Sequence, residues 1–487
     1  MIFRDWNHRR AALGALVTLG ALVPAGASSQ VEPPGDSYVT ILPGQNIQGF
    51  VNLAPEGAAF LLGAGVHRMQ TISPKNRQVF LGEAGAILSG ARVVTSFSRA
   101  GSAWVATGQT QEGAARGSVE EGMCRTSQPR CGRPEDLFID DVRLRHVDSL
   151  AAGGPGTWYF DYAGDRIYIW DDPAGRVVET SVTAAAFMNS GTGVTIRNLI
   201  VEKYATPTQT GAITVGVGSI AEDVEARWNH AWGIRSLSQS VIRRSHVHHN
   251  GGVGFAGSGE GILVENSESS YNGAIYDPHW ESGGSKWAFT RNLVVRNNFS
   301  HDNFGPGLWT DIDNYFTLYE GNLVEDNEQS GIFHEISFDA VIRNNTSRRN
   351  GASREFPSWT VGAGIAVATS SNVEVYGNTL ADNWQGITGL EDHRVRQVGS
   401  GGWALRNLYV HDNTITTTLS LRGGGRSGVA ETSGQTAFSE SANNRFDFNT
   451  YYLGAAQRYF FWLGADRNET EWRSYGQDVN GTFQRAP

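Results

Sequence analysis

A run of near-repeats in the middle of the chain constrains the fold more than any other feature. LVVRNNFSHDN ends at Asn303, LYEGNLVEDN at Asn327, AVIRNNTSRRN at Asn350 and VEVYGNTLADN at Asn383. Each carries a second Asn five residues earlier, at Asn298, Asn322, Asn345 and Asn378, so successive copies lie 24, 23 and 33 residues apart. Each is followed by a Gly and a short apolar strand: GLWTDI, GIFHEI, GIAVAT and GITGL. A unit of about two dozen residues cannot bury its own apolar face, but stacked units can, with parallel strands bonded from coil to coil. Asn at a fixed turn position fits such a stack, because it tolerates the left-handed region and can bond along a ladder. The period-two runs and the Val, Ile, Asn and Gly content exclude a helical solenoid. The fold class expected is all-β: a right-handed parallel β-helix.

Weaker coils extend backwards through VIRRSHVHHN, VEARWNHAWGI and VTIRNLIVEKY, and the main run is placed at 181–440. Residues 28–95 read as the first coils. Over 96–180 the repeat breaks into alternating segments, LFIDDVRLRHV and WYFDYAGDRIYIWDDP, that turn on Asp-Asp, Ala-Gly-Asp and Asp-Pro. These predict a small inserted subdomain of antiparallel hairpins. The aromatic-rich tail, 441–487, is expected to cap the solenoid.

Residues 1–27 read as a removable export signal: Arg4, Arg9 and Arg10, an apolar run from Ala11 to Val23, and Ala25-Gly26-Ala27 as a cleavage site. The flanks of Arg9-Arg10 fit a general signal better than a twin-arginine one. The mature chain is therefore expected to be secreted or periplasmic, with no membrane association after signal removal. Those residues hold three Arg and one Asp, so their loss moves the net charge from −10 to −12. An acidic chain argues against nucleic acid and, unless a local basic patch or a bound cation intervenes, against a strongly anionic polymer; the partner expected from the site residues below is an oligo- or polysaccharide. The only two cysteines, Cys124 and Cys131, are expected to close a small disulfide loop, since two alone cannot make a structural zinc site.

Strand alternation then selects candidate chemistry. In Gly307–Asp313 the outward set is Trp309, Asp311 and Asp313, and the inward set Leu308, Thr310 and Ile312. In Gly331–Ser337 the outward set is Phe333, Glu335 and Ser337; His334 points inward with Ile332 and Ile336 as an orienting partner, and is counted with Asp313 among the substrate-binding candidates. Asp311 and Glu335 are 24 residues apart, as are Trp309 and Phe333, so each pair should stack on neighbouring coils. Adjacent strands lie about 4.8 Å apart. That approaches the roughly 5–5.5 Å between nucleophile and acid/base in retaining glycosidases. Two carboxyls so close should split their pKa values, and Trp309 and Phe333 would offer a face to a sugar ring.

One coil upstream, Trp280-Glu281-Ser282-Gly283-Gly284-Ser285-Lys286-Trp287 supplies further candidates. Two glycines before Lys286 imply close backbone approach. Lys286 would bind substrate or hold the nucleophile as an anion, and Glu281 and Trp280 would contact substrate. Glu391, with Asp392 and His393, would line the far end of a groove. His230, His249 and His301 fall at turns and read as hydrogen-bonded structure rather than metal ligands.

GLWTDIDN followed one coil later by GIFHEIS resembles the β-helical glycoside hydrolases, notably the β-xylosidase family, and less closely the α-fucosidases of the same fold. The resemblance covers about residues 305–345. It implies a retaining glycoside hydrolase with the nucleophile on the Trp-x-Asp strand, at Asp311, and the acid/base on the aromatic-x-Glu strand, at Glu335. The sequence departs from that family at Ile312-Asp313-Asn314, where the family has an apolar/Gln pattern. The inserted subdomain resembles that architecture too, and with its Cys124–Cys131 loop is expected to wall one end of the groove. No cofactor is implied for a hydrolase. The alternative is a Ca²⁺-dependent polysaccharide lyase or C5-epimerase, with Lys286 as base and Asp311, Asp313, Glu335 or Glu281 holding Ca²⁺. The absence of an evident Arg cluster beside the Asp strand speaks against it. The second alternative is a non-catalytic carbohydrate-binding β-helix, which requires no close acid pair.

Overall fold

The computed structural model describes residues 38–188, 191–351, 359–396, 402–418, 424–455 and 458–486. The export signal of residues 1–27 lies outside them. Tyr38–Pro487 forms one compact unit. Among the described residues, three long sheets run its length, two of thirteen strands and one of eleven. Successive strands in one sheet come from successive coils and pair in parallel; the one antiparallel step is Phe460–Trp462 with Ala465–Arg467. The chain is a right-handed parallel β-helix. The inward side chains form one continuous core, from Ile41 and Phe60 to Phe446 and Trp472.

The repeated asparagines make two ladders at the corners. Asn298 Oδ1 accepts from the backbone N–H of Ser267, and Asn322 Oδ1 accepts from that of Asn298, and so on through Asn345, Asn378, Asn413 and Asn449. The second runs from Asn229 through Asn250, Asn272, Asn303, Asn327 and Asn350 to Asn383. Each amide satisfies a corner N–H that no strand partner reaches, and donates in turn to the next Asn; the buried turns are paid for in hydrogen bonds.

The antiparallel segment starts a few residues before position 96. Ala91–Val93 pairs with Val178–Ser181, which also pairs with Leu137–Ile139. A second sheet holds Thr157–Asp161, Arg166–Ile169 and Ala103–Thr107. Asp140 and Asp141, both at positive φ, make the tight turn between Leu137–Ile139 and Val142–Arg143. Trp158, Phe160, Ile167 and Ile169 give this part its own core.

The tail corrects the sequence reading of 441–487 as a cap. Arg445–Asp447, Thr450–Leu453, Phe460–Trp462 and Thr482–Arg485 add strands to all three sheets, so the coils continue to the end. The aromatics fill the core of these last coils: Trp472, on the short helix Glu469–Ser474, stacks on Phe460 inside them. At the other end, within 28–95, the helix Ile47–Leu53 adds an element that the repeat did not signal; it is capped by Asn46 and buries Ile47 and Val51.

Candidate active site

The third sheet carries the site. Leu308–Asp311 pairs in parallel with Ile332–Glu335, and the register sets Trp309 against Phe333, Thr310 against His334 and Asp311 against Glu335. The next coil places Ala368 beside Glu335. On the other side Trp287 pairs with Thr310, which brings Ala288 opposite Asp311. The two carboxyls are thus alone in their row, flanked by alanines. Gly283 and Gly284 allow the preceding coil to pack this closely: a side chain on Gly284 would meet the carbonyl oxygen of Gly307 at 2.3 Å.

Both strands end at the acidic residue. Ile312 and Ile336, the following residues, have φ of 61° and 38°. A β-branched residue in the left-handed region is costly, and such strain concentrates at functional sites. Backbone bonds hold the corner: Asp313 N–H to Ile336 O at 2.9 Å, and Ile336 N–H to Ala368 O at 2.9 Å. The bend corrects two assignments from alternation. Ser337 turns into the interior, where Asn314 N–H and Nδ2 both donate to its Oγ. Asp313 leaves the row of Asp311 and pairs with Arg396 Nε at 2.9 Å and with Trp403 Nε1 at 2.9 Å.

Glu335 is 5 % exposed. Its Oε1 lies 2.6 Å from Arg394, and its Oε2 accepts from Trp309 Nε1 at 3.1 Å. Burial first, and the neighbouring Asp311 charge second, push its pKa up to about 7, against the pull of Arg394, Lys286 and Trp309. Asp311, 8 % exposed, has its Oδ2 3.1 Å from Lys286 Nζ. Lys286 also lies 3.6 Å from Glu281, donates to Trp280 O at 2.5 Å and sits 4.0 Å from the centre of the Trp309 ring. Burial would lower the Lys286 pKa, but Glu281 and Asp311 more than offset it and the net shift is upward.

The other sequence candidates divide. Glu281 is held by Gln209 Nε2 at 2.9 Å and Trp232 Nε1 at 3.1 Å, so it anchors Lys286 rather than meeting substrate. Trp309, 2 % exposed, is a wall between Lys286 and Glu335, not an open platform; the ammonium on one face and Phe333 stacked at 5.8 Å on the other cover it. Phe333 remains half-buried. His334 is not a substrate contact: it lies in the core, its Nδ1 2.8 Å from Thr310 Oγ1, and burial lowers its pKa to about 3. Glu391 is not a groove residue either; it accepts from the backbone N–H of His393 and Leu405. His230 bonds to Asp136 and Cys131 O, His249 to His248, and His301 to Glu268 and Asp302, all away from the pair. Cys124 and Cys131 are joined as a disulfide, and their loop packs with Tyr276 and Ile275 against Trp232 and Trp280, next to Glu281.

Sequence reasoning missed Arg394. It follows the irregular coil after GITGL, 59 residues beyond Glu335, with no repeat register to place it. The expectation of no Arg beside the Asp strand is thereby corrected: Arg394 and Arg396 both lie there. Each is engaged by a carboxylate, Glu335 and Asp313. The carboxylates proposed for Ca²⁺ in a lyase therefore already have partners: Lys286 for Asp311, Arg394 for Glu335, Arg396 for Asp313, and Gln209 and Trp232 for Glu281. This set does not fit a divalent cation, which would have to displace three cations and two hydrogen bonds.

Residues 184–380 match the family described as right handed beta helix region. No curated protein matches the chain. Among solved structures, XylC in complex with xylose is similar at 14% identity, over 90% of this chain and 82% of that one, with a TM-score of 0.65. The A-module of mannuronan C-5 epimerase AlgE6 from Azotobacter vinelandii is 15% identical over 90% and 93%, with a TM-score of 0.49. The catalytic unit of the GH87 alpha-1,3-glucanase of Streptomyces thermodiastaticus strain HF3-3 is 11% identical over 93% and 68%, with a TM-score of 0.47. At these identities the likeness is one of fold.

Proposed function

We propose that this protein is an exported carbohydrate-active enzyme, a retaining glycoside hydrolase in which Asp311 is the nucleophile and Glu335 the general acid/base. One observation carries the reading: Asp311 and Glu335 are register partners on adjacent parallel strands. A strand spacing of about 4.8 Å lies near the roughly 5–5.5 Å at which one carboxylate attacks directly, and below the roughly 6.5–9.5 Å of an inverting pair that admits a water. The shared fold with XylC, whose structure contains xylose, agrees with a sugar as substrate.

The roles follow from the neighbours. Asp311, ion-paired with Lys286, attacks the anomeric carbon as the carboxylate. Glu335, protonated up to about pH 7, gives its proton to the glycosidic oxygen as that C–O bond breaks. The aglycone leaves and a glycosyl ester on Asp311 remains. Glu335, now ionised and paired with Arg394, takes a proton from water; the water oxygen attacks the same carbon and Asp311 departs as carboxylate. The lyase reading fares worse, because its base must be neutral and Lys286 is clamped as a cation between two carboxylates.

The test is incubation of wild type, Asp311→Ala and Glu335→Ala, with and without chelator, on neutral and uronic-acid glycans, reading reducing ends and unsaturated product together. New reducing ends without unsaturation, insensitive to chelator and lost in both variants, are expected. Unsaturated product that needs Ca²⁺ and Lys286 would overturn the hydrolase in favour of a lyase.

A further inference from the structure

A cavity of about 460 Å³ opens at the corner just past the acid pair. It is tied to the pair twice: Asp313 in its wall is two residues beyond Asp311, and Arg396 two beyond Arg394. Arg396 also donates to Tyr315 Oη at 2.9 Å, so Asp313, Arg396 and Tyr315 form one braced wall.

The opposite wall is built differently. Gly257 pairs with Trp287, but Gly259 pairs with Thr290, so Ala288 and Phe289 together oppose Ser258 alone. This bulge re-aims the side chain that follows it. Phe289 has φ of 55° and is 59 % exposed. Its ring is thus presented to solvent beside the cavity rather than packed into the core. Beside it, the Arg291 guanidinium lies 5.1 Å from the centres of both the Tyr315 and Phe316 rings, which fixes its plane. Glu260 is its register partner on the neighbouring strand. Among the described residues neither Arg291 nor Glu260 makes an ion pair.

We infer that this cavity is a second sugar subsite, which takes a neutral pyranosyl unit of the chain whose neighbouring unit lies over Asp311 and Glu335. The inference rests on the hydrolase reading for that neighbour. Phe289 offers a flat apolar face to the C–H side of a ring, while Arg291 and Glu260 offer a fixed donor fork and an acceptor to its hydroxyls. The charges in the cavity balance, Arg291 and Arg396 against Glu260 and Asp313. A uronate would meet Arg291 but also the unpaired carboxylate of Glu260, with no net positive charge to draw it in, so a neutral sugar is the better match.

The experiment is calorimetry on the full chain carrying Asp311→Asn, with mono-, di- and trisaccharides of the xylo-, cello-, laminari- and mannuronate series. For at least one neutral series, the disaccharide is expected to bind about tenfold tighter than the monosaccharide, and Phe289→Ala should collapse that ratio. Arg291→Gln, on an exposed side chain, provides a second test should Phe289→Ala unfold, and is expected to reduce the same ratio. A ratio unmoved by both substitutions overturns the subsite, as does a mannuronate series that outbinds every neutral one. The two readings separate. Wild type that cleaves no glycan, while a neutral oligosaccharide still binds through Phe289, sinks the hydrolase and leaves the subsite. Cleavage that needs Asp311 but has a chain-length dependence indifferent to Phe289 sinks the subsite alone. Binding of no glycan in any series overturns both.

Discussion

The proton on Glu335 is under two opposed controls, and removing each should move its titration in opposite directions. Arg394→Gln removes the guanidinium 2.6 Å from Glu335 Oε1. A charge-assisted hydrogen bond contributes about 1.5–3 kcal/mol to the ionised form, and one pH unit corresponds to about 1.4 kcal/mol. The Arg394 side chain is 43% exposed, so solvent screens part of that interaction and roughly one unit remains. The Glu335 pKa should therefore rise from about 7 to about 8. Asp311→Asn removes the like charge on the neighbouring strand. Coulomb attraction and repulsion at about 5 Å with an effective dielectric constant of about 20 is about 3 kcal/mol, so the fall should be up to about two units.

Two assays read these shifts. The alkaline limb of kcat/KM on an unactivated oligosaccharide reports the protonated acid in wild type and in Arg394→Gln, and should move upward by about one unit in the variant. Asp311→Asn lacks the nucleophile, so its titration is followed through the indole that donates to Glu335 Oε2, as the fluorescence difference against the same protein carrying Trp309→Phe. The expected order of midpoints is Asp311→Asn, wild type, Arg394→Gln from low to high pH. Midpoints that coincide, or that move in the same direction, would refute the account of Glu335 as an acid poised between a carboxylate and a guanidinium. Because the two carboxyls interact, each midpoint belongs to the pair rather than to one residue.

Other substitutions test the remaining parts. With an aryl glycoside bearing a good leaving group, Glu335→Ala should release one equivalent of phenol per enzyme and then stall, since the second step lacks its base; steady turnover without a burst would count against the assigned role. Lys286→Met leaves Glu281 and Asp311 without their shared cation; loss of one partner of a buried pair costs about 3–5 kcal/mol, read as a lower denaturation midpoint, and kcat/KM should fall by at least about a hundredfold. Glu335 titrates higher in the folded state than in the unfolded chain, so its contribution to stability is fully present below about pH 4.5 and is lost as pH rises through about 7. Glu335→Gln should remove up to about 3 kcal/mol of that pH dependence in denaturation curves taken between pH 4.5 and 8. Asn322→Ala removes the acceptor for Asn298 and the donors to Val295 O and Asn345; a loss of about 2–4 kcal/mol is expected by chemical denaturation.

The coil-to-coil register was legible because it is written in spacing. The 24-residue step that aligns Asn298 with Asn322 also aligns Asp311 with Glu335, and one look at the ladder fixes both. Lys286 was legible for the same reason, one residue short of that step. What spacing cannot show is where a strand ends. Ile312 and Ile336 carry a strand signal, yet both adopt left-handed φ and turn the chain, so the alternation carried past them misplaced Asp313 and Ser337. The burial of Trp309 follows from the Lys286 stem lying across it, a contact between coils that no single strand reveals. Arg394 sits in the coil from Asn378 to Asn413, 35 residues long against 24 at the acid pair, so nothing in the repeat could return it to that pair. The tail differs in another way: its aromatics read as a cap on the solenoid, but Phe460, Trp462 and Trp472 fill the core of coils that continue.

The arrangement of cations explains why one carboxyl of an equivalent-looking pair should hold the proton. Both acids lie on parallel strands of the same sheet, at the same distance from a corner, and both have a cation. The cations differ in exposure. The Lys286 side chain is 11% exposed and wedged against Trp309, whereas Arg394 is 43% exposed. Screening weakens the more exposed interaction. Asp311 is therefore matched by a nearly dry charge and Glu335 by a wet one, and the cheaper place for a single shared proton is Glu335. The fold makes this difference available, because Lys286 comes from the coil directly stacked on Asp311 while Arg394 arrives from a loop beyond the strand Gln385–Glu391. A rigid ladder supplies the close pair, and an irregular exit from it supplies the asymmetry that gives the two carboxyls different work.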